Sequence, residues 1–211
     1  MRLEKGQHLY TAEMKNLGKI ERVVLDPQTG EVSHVVISKG LLFPHERVVS
    51  SELIVSASDQ GLILAAGADV EGFPPFEIEK TVPLDEETRT RYGTYEDPVF
   101  WYGIPAAGYG RPLAMGTYSH TVAVQRNVPE NAAAVTVGAK VLDVTGKSVG
   151  TIEEVRVDDR DGTVAALITS RDMLSTDRKL IPAEWVQSWG EDEVSLLVSA
   201  TMVGQLPPSM N

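Results

Sequence analysis

Residues 18–38, GKIERVVLDPQTGEVSHVVIS, and residues 150–170, GTIEEVRVDDRDGTVAALITS, lie 132 positions apart and carry one pattern written twice. In the second stretch, residues 151–157 alternate around a mostly two-residue period, Asp161-Gly162 supplies a hairpin turn, and residues 164–170 resume as a β-rich run. The first gives residues 20–25, a turn at Thr29-Gly30, and residues 32–38. The spacing therefore predicts two β-hairpins at equivalent places in the chain.

Working outward, the same offset lays residues 6–64 on 138–196 without a gap, with 14 identities in 59 positions. They include Gly6 with Gly138, Gly18 with Gly150, Ile20 with Ile152, Val23 with Val155, Asp26 with Asp158, Gly30 with Gly162, Glu52 with Glu184 and Leu64 with Leu196. Other pairs exchange one apolar residue for another, as Val48 with Leu180 and Val49 with Ile181 do. Glycines fall on glycines and turns on turns, so what recurs is backbone conformation, including the positive φ that glycine alone adopts freely.

After each hairpin come a loop (residues 39–47 and 171–179), a short apolar strand, a turn (Glu52-Leu53-Ile54 and Glu184-Trp185-Val186), and a last strand around residues 62–64 and 194–197. Five or six strands in so short a repeat predict an all-β fold of two small β-barrels, since closure removes the exposed edges of a small sheet. A unit of about 60 residues buries only about 60% of its unfolded surface and is marginal alone. Packing of one barrel on the other, or homodimerisation, would relieve that.

These stretches resemble the PRC-barrel family, typified by the cytoplasmic barrel of the photosynthetic reaction-centre H subunit and by the barrel of the bacterial ribosome maturation factor. The likeness is carried by residues 18–49 with Ser50-Ser51-Glu52-Leu53-Ile54 in the first copy, and by residues 149–171 with Lys179-Leu180-Ile181-Pro182-Ala183-Glu184-Trp185-Val186 in the second. It implies a small barrel that serves as a binding or assembly module, with no shared catalytic residue and no cofactor. The expected organisation is a first barrel over residues 1–65, a connecting segment over 66–137, a second barrel over 138–200, and a flexible tail over 201–211.

Composition narrows the function classes. Nineteen Lys and Arg against thirty Asp and Glu give a formal charge of −11, which repels nucleic-acid backbones and anionic membranes and makes a basic protein partner electrostatically easier. With no cysteine, disulfides, thiolate metal sites and cysteine nucleophiles are excluded. Residues 1–10 have no apolar core of secretory length, and no apolar run approaches the ~18 residues of a membrane span. The expectation is a cytoplasmic protein with neither direct nucleic-acid binding nor membrane insertion.

The connecting segment concentrates the aromatics: nine of thirteen lie between Phe73 and Tyr118, among turn-forming prolines and glycines. Acidic residues Asp85, Glu86 and Glu87, with Asp85/Arg89 and Glu87/Arg91 at i,i+4 spacing, predict a short helix over 84–92 ended by Gly93. Residues 120–125 alternate like a strand. Phe100, Trp101, Tyr102 and Tyr109 form a candidate docking surface, because aromatics dominate interface hot spots; the alternative is that such rings pack back onto the barrels. The apolar loop residues Leu41, Leu42 and Phe43, matched by Met173 and Leu174, are candidates for a barrel-to-barrel or homodimer contact, or for capping the barrel mouths.

Signatures of chemistry are weak. Asp158, Asp159 and Asp161 are close together but lack calcium-loop spacing, with Ile168 where the closing glutamate belongs, so a solvated hairpin turn is expected and no metal site. Gly108-Tyr109-Gly110 leads to Leu113 where a dinucleotide fingerprint needs glycine. His8, His34, His45 and His120 form no ligand pair on one element, and Ser119-His120 would diverge on a strand. The chain thus reads as a non-enzymatic adaptor or assembly protein that binds other proteins. The alternative is a ribosome or RNA–protein maturation factor that touches a basic ribosomal protein.

Overall fold

A computed structural model of the chain describes residues 1–40, 45–58, 60–69, 71–83, 120–170 and 178–209. The first repeat contains β1 (Arg2–Glu4), β2 (His8–Tyr10), β3 (Asn16–Leu25), β4 (Val32–Lys39), β5 (His45–Ser50), a 3-10 turn (Ser51–Leu53), β6 (Ile54–Ser58) and β7 (Gly61–Leu64). Strands β8 (Glu77–Pro83) and β9 (His120–Arg126) pair as a separate two-stranded sheet. The second repeat contains β10 (Ala133–Thr136), β11 (Lys140–Leu142), β12 (Ser148–Val157), β13 (Val164–Ser170), β14 (Lys179–Pro182), a 3-10 turn (Ala183–Trp185), β15 (Val186–Trp189) and β16 (Glu193–Leu196), followed by helix α1 (Ala200–Gln205).

Each repeat builds a seven-stranded sheet of the same topology, β5-β4-β3-β2-β7-β6 and β14-β13-β12-β11-β16-β15, with one further strand on the long β3 or β12. In both, the two ends of the path are joined through the 3-10 turn, so the sheet curls on itself as a small barrel must. The irregularities recur too: register shifts at Leu9/Tyr10, Ile20/Arg22, Val24/Leu25 and Ile54/Ser56 are matched at Val141/Leu142, Ile152/Glu154, Arg156/Val157 and Val186/Ser188. Bulges bend strands, and an identical set gives both sheets the same curvature. Gly18 shows why glycine is needed at the first bend: its φ is +147°, and a Cβ there would lie 2.6 Å from the Ser38 carbonyl oxygen.

The further strand in each sheet comes from the other repeat. β1 pairs with β12, with Leu3 opposite Val155, and β10 pairs with β3, with Val135 opposite Val23. The 132-residue offset carries Leu3 to Val135 and Val23 to Val155, so the exchange is reciprocal and in identical register. The two hairpin turns also meet: Val32 N–H donates to Gly162 O and Val164 N–H to Gly30 O, both at 2.9 Å, on either side of a Glu31–Thr163 bridge. The interiors merge accordingly, and Leu3, Leu9, Ile20, Val35, Leu62 and Val135 lie in one buried cluster with Val141, Ile152, Leu167, Ile181 and Leu196.

The repeats extend beyond the stretch their identities mark. Residues 73–77 return alongside β5, with Val48 N–H donating to Pro74 O and Phe76 N–H to Glu46 O. Phe73 and Phe76 are buried there, as rings packing back on the barrel should be; Phe76 covers Val24, Val36, Val48 and Ala134 on the outer face of the first sheet. On the second barrel, the expected flexible tail from residue 201 is corrected. Its first residues belong to α1, which buries Val203 in the shared core, and Pro208 bridges to Lys179. Asp143 fixes the start of α1 by accepting the Ala200 N–H at 2.9 Å. The Thr145 hydroxyl and this amide hold the Asp143 carboxyl well below the usual carboxylate range. The stretch read as a strand from its alternation is β9, whereas the helix expected over 84–92 lies outside the described residues.

Candidate functional site

The join between β5 and β6 forms a seam on the first barrel, and the seam opens into a cleft of about 690 Å³. One wall is the start of β4 with Ser33 and His34; the other is β6, residues 54–57, with Ser50, Ser51 and Glu52 between them. The second barrel and its exchanged strand close one end through Met1, Val157, Asp158, Asp159 and Gly162. The strand exchange and the meeting of the hairpin turns together build the cleft, since the β1–β12 pairing brings Met1 to Val157 and the Val32–Gly162 hydrogen bond brings the second turn beside β4.

The walls are polar. Ser51 Oγ lies 2.8 Å and 3.0 Å from the carbonyl oxygens of Val32 and Ser33, pinning the 3-10 turn to β4. His34 Nδ1 is 3.0 Å from Ser33 Oγ. Burial pushes the His34 pKa below its ordinary 6.5, while the nearby Glu52 carboxylate acts in the opposite sense. Among the described residues, Glu31, Glu52, Asp158 and Asp159 contribute carboxylates to the lining and no Lys or Arg joins them. Asp158 is paired with Arg160 at 2.6 Å, and Asp159 with the Met1 ammonium.

At the equivalent positions of the second barrel, Ser33 and His34 become Ala165 and Ala166, Ser50 and Ser51 become Pro182 and Ala183, and Val55 and Ala57 become Gln187 and Trp189. The framework is thus repeated, whereas of the polar seam residues on this barrel only Glu52 and Ser56 recur, as Glu184 and Ser188.

A second polar cluster locks the barrels together. Arg22 Nη1 is 2.6 Å from Glu46 Oε2 and its Nε 3.2 Å from Glu191 Oε1; Arg126 Nη2 is 2.6 Å from Glu191 Oε2. Both guanidinium groups stand over the Phe76 ring, at 4.9 and 5.4 Å. The position equivalent to Arg22 is Glu154, 5% exposed, with Arg156 Nε at 2.8 Å and Arg2 Nε at 3.9 Å. The two copies carry this lock with opposite charge.

The residues singled out from the sequence, namely Leu41, Leu42, Phe43, Phe100, Trp101, Tyr102, Tyr109, Met173 and Leu174, all lie outside the described residues. The acidic turn is described, and its carboxylates serve the turn: Asp158 Oδ1 accepts from Arg160 N–H at 2.9 Å, and Asp161 Oδ1 from Thr163 N–H at 3.0 Å. Among the described residues no group of three or more His, Asp or Glu could hold a metal ion, and no helix is long and apolar enough to cross a membrane. Ser33, His34, Ser51 and Glu52 were not singled out. The signal that finds Ser33, His34 and Ser51 is the column-by-column difference between the copies, hydroxyl and imidazole against alanine, whereas Glu52 recurs as Glu184 and carries no such signal.

A family model described as the PRC-barrel domain matches residues 5–71 and 131–194, well over half of the chain. The chain belongs to the PRC-barrel family. The first match begins after β1, and the second takes in β10, the strand lent to the other barrel. This PRC-barrel protein has no match among curated proteins.

Proposed function

We propose that the protein is a non-enzymatic adaptor or assembly module that holds a protein partner at the seam of its first barrel. The observation that carries this is the asymmetry of the pair: bulges, turns and exchanged strands recur, whereas Glu31, Ser33, His34, Ser50, Ser51, Val55 and Ala57 of the seam cleft are all replaced in the second copy. The second copy then acts as a brace that closes one end of the cleft.

The test is affinity capture with the full chain and with a variant, Ser33→Ala, His34→Ala and Ser51→Ala, that installs the second copy's residues in the seam. At least one abundant captured protein should be lost from the variant, whose circular dichroism should match the parent's. Identical recoveries from the two proteins would overturn the reading. Recovery of basic ribosomal proteins would place the partner in ribosome assembly.

A further inference from the structure

We infer, on the footing of the protein-binding reading above, that the seam cleft takes up an extended lysine- or arginine-rich segment of the partner as an added strand on β6. Among the described residues β6 is hydrogen-bonded only to β7 and ends the sheet path. Its other row of amides and carbonyls faces the seam, and such open edges are what strand-adding domains use. Edge strands are commonly guarded by charge or proline; β6, IVSAS, has neither. The register shift between Ile54 and Ser56 leaves Val55 out of the pairing with β7, and it is 63% exposed.

Charge selects the occupant. The cleft is lined by four carboxylates and one ammonium, and the Met1 ammonium and Arg160 are engaged with Asp159 and Asp158. That leaves Glu31 and Glu52 without an ion pair among the described residues, one beside the start of β4 and one beside β6. His34 adds no cation while burial keeps it neutral. An extended chain places alternate side chains on opposite faces, so one face of a basic segment meets these carboxylates while its backbone pairs with β6. The equivalent edge, β15, keeps Glu184 at the Glu52 position but has Gln187 and Trp189 in place of Val55 and Ala57, and Thr163 replaces Glu31; the paired carboxylates beside an open edge belong to the first barrel.

The experiment uses the isotope-labelled full chain and an acetylated octapeptide of alternating Lys and Val. Its comparators are an octapeptide of alternating Glu and Val, and the Lys–Val peptide N-methylated at every residue so that it has no backbone N–H to donate to a strand. The Lys–Val peptide should shift the amide signals of residues 33, 51 and 54–57 and slow hydrogen exchange within 54–57 by about tenfold. Its binding should weaken several-fold as salt rises from about 50 to about 300 mM. Glu31→Gln with Glu52→Gln, both exposed positions, should weaken it about fivefold.

Comparable binding by the Glu–Val peptide, unchanged protection when the N-methylated peptide is used, or shifts that spare residues 54–57 would each overturn strand addition. If seam-dependent capture persists while β6 is untouched by the Lys–Val peptide, strand addition falls and the adaptor reading stands. If the peptide docks on β6 but capture ignores the seam variant, the adaptor reading falls and the cleft's chemistry stands.

Discussion

The first and second barrels have the same strand order, the same four bulges and the same exchanged strand, but different surfaces laid over that frame. On the first, Phe76 roofs the outer sheet and carries two arginines, and the seam is lined by serine, histidine and glutamate. On the second, α1 packs against the barrel, the seam positions hold alanine and proline, and the buried lock is a glutamate between arginines. The difference teaches which residues make the fold and which are free to make a site. The glycines of the shared bends, Gly6, Gly18 and Gly30 with their counterparts, and the inward apolar residues agree between copies because backbone geometry and core volume constrain them. Most positions at the seam and on the outer faces, such as Ser33, His34 and Phe76, diverge because neither constraint reaches them, although Glu52 recurs as Glu184.

The comparison breaks most visibly at the roofs. Phe76 is fully buried, and Phe76→Ala should cost about 4 kcal/mol by removing a core-sized ring and the platform under Arg22 and Arg126. Pro208, its counterpart at the same offset, is exposed, and Pro208→Ala should stay within about 0.5 kcal/mol. Denaturant unfolding of the two variants measures the gap. Equal losses would mean that the first barrel does not depend on its roof.

The exchanged strands sharpen the comparison next. Leu3 and Val135 are equivalent and almost fully buried, each in the barrel of the other repeat. Leu3→Ala should cost about 3 kcal/mol and Val135→Ala about 2. Because each strand belongs to one repeat by sequence and to the other by hydrogen bonding, either variant should shift one common unfolding transition. Two transitions, with one displaced, would show that the barrels melt independently.

The hairpins and the two-copy architecture were legible because Gly18/Gly150, Asp26/Asp158 and Gly30/Gly162 mark turns that need those residue types. The exchange was not: Arg2-Leu3-Glu4 and Ala134-Val135-Thr136 share no identity, and a three-residue strand needs only one inward apolar side chain. Helix α1 was hidden because its anchor is tertiary, an Asp143 carboxylate far back in the chain that replaces Thr11 of the first copy. The seam escaped for a different reason. Alignment rewards sameness between copies, and the site is written in the columns where they differ, such as His34 against Ala166.

That column supplies the smallest effect and the most direct probe of the seam. Burial holds the His34 pKa below 6.5, so as pH falls through about 6.5 the unfolded chain takes up its proton first. The folded state then loses stability progressively until the folded pKa is passed, and the loss reverses on return to neutral pH. His34→Ala, which installs the second barrel's residue, should remove this component. The difference in melting temperature between parent and variant should therefore be flat above about pH 7 and turn in the variant's favour below about pH 6. A difference that is constant across this range would place His34 in water rather than in the wall of the cleft. A difference of the opposite sign would mean that Glu52 outweighs burial, and that the seam holds a cation of its own instead of reserving its carboxylates for a partner.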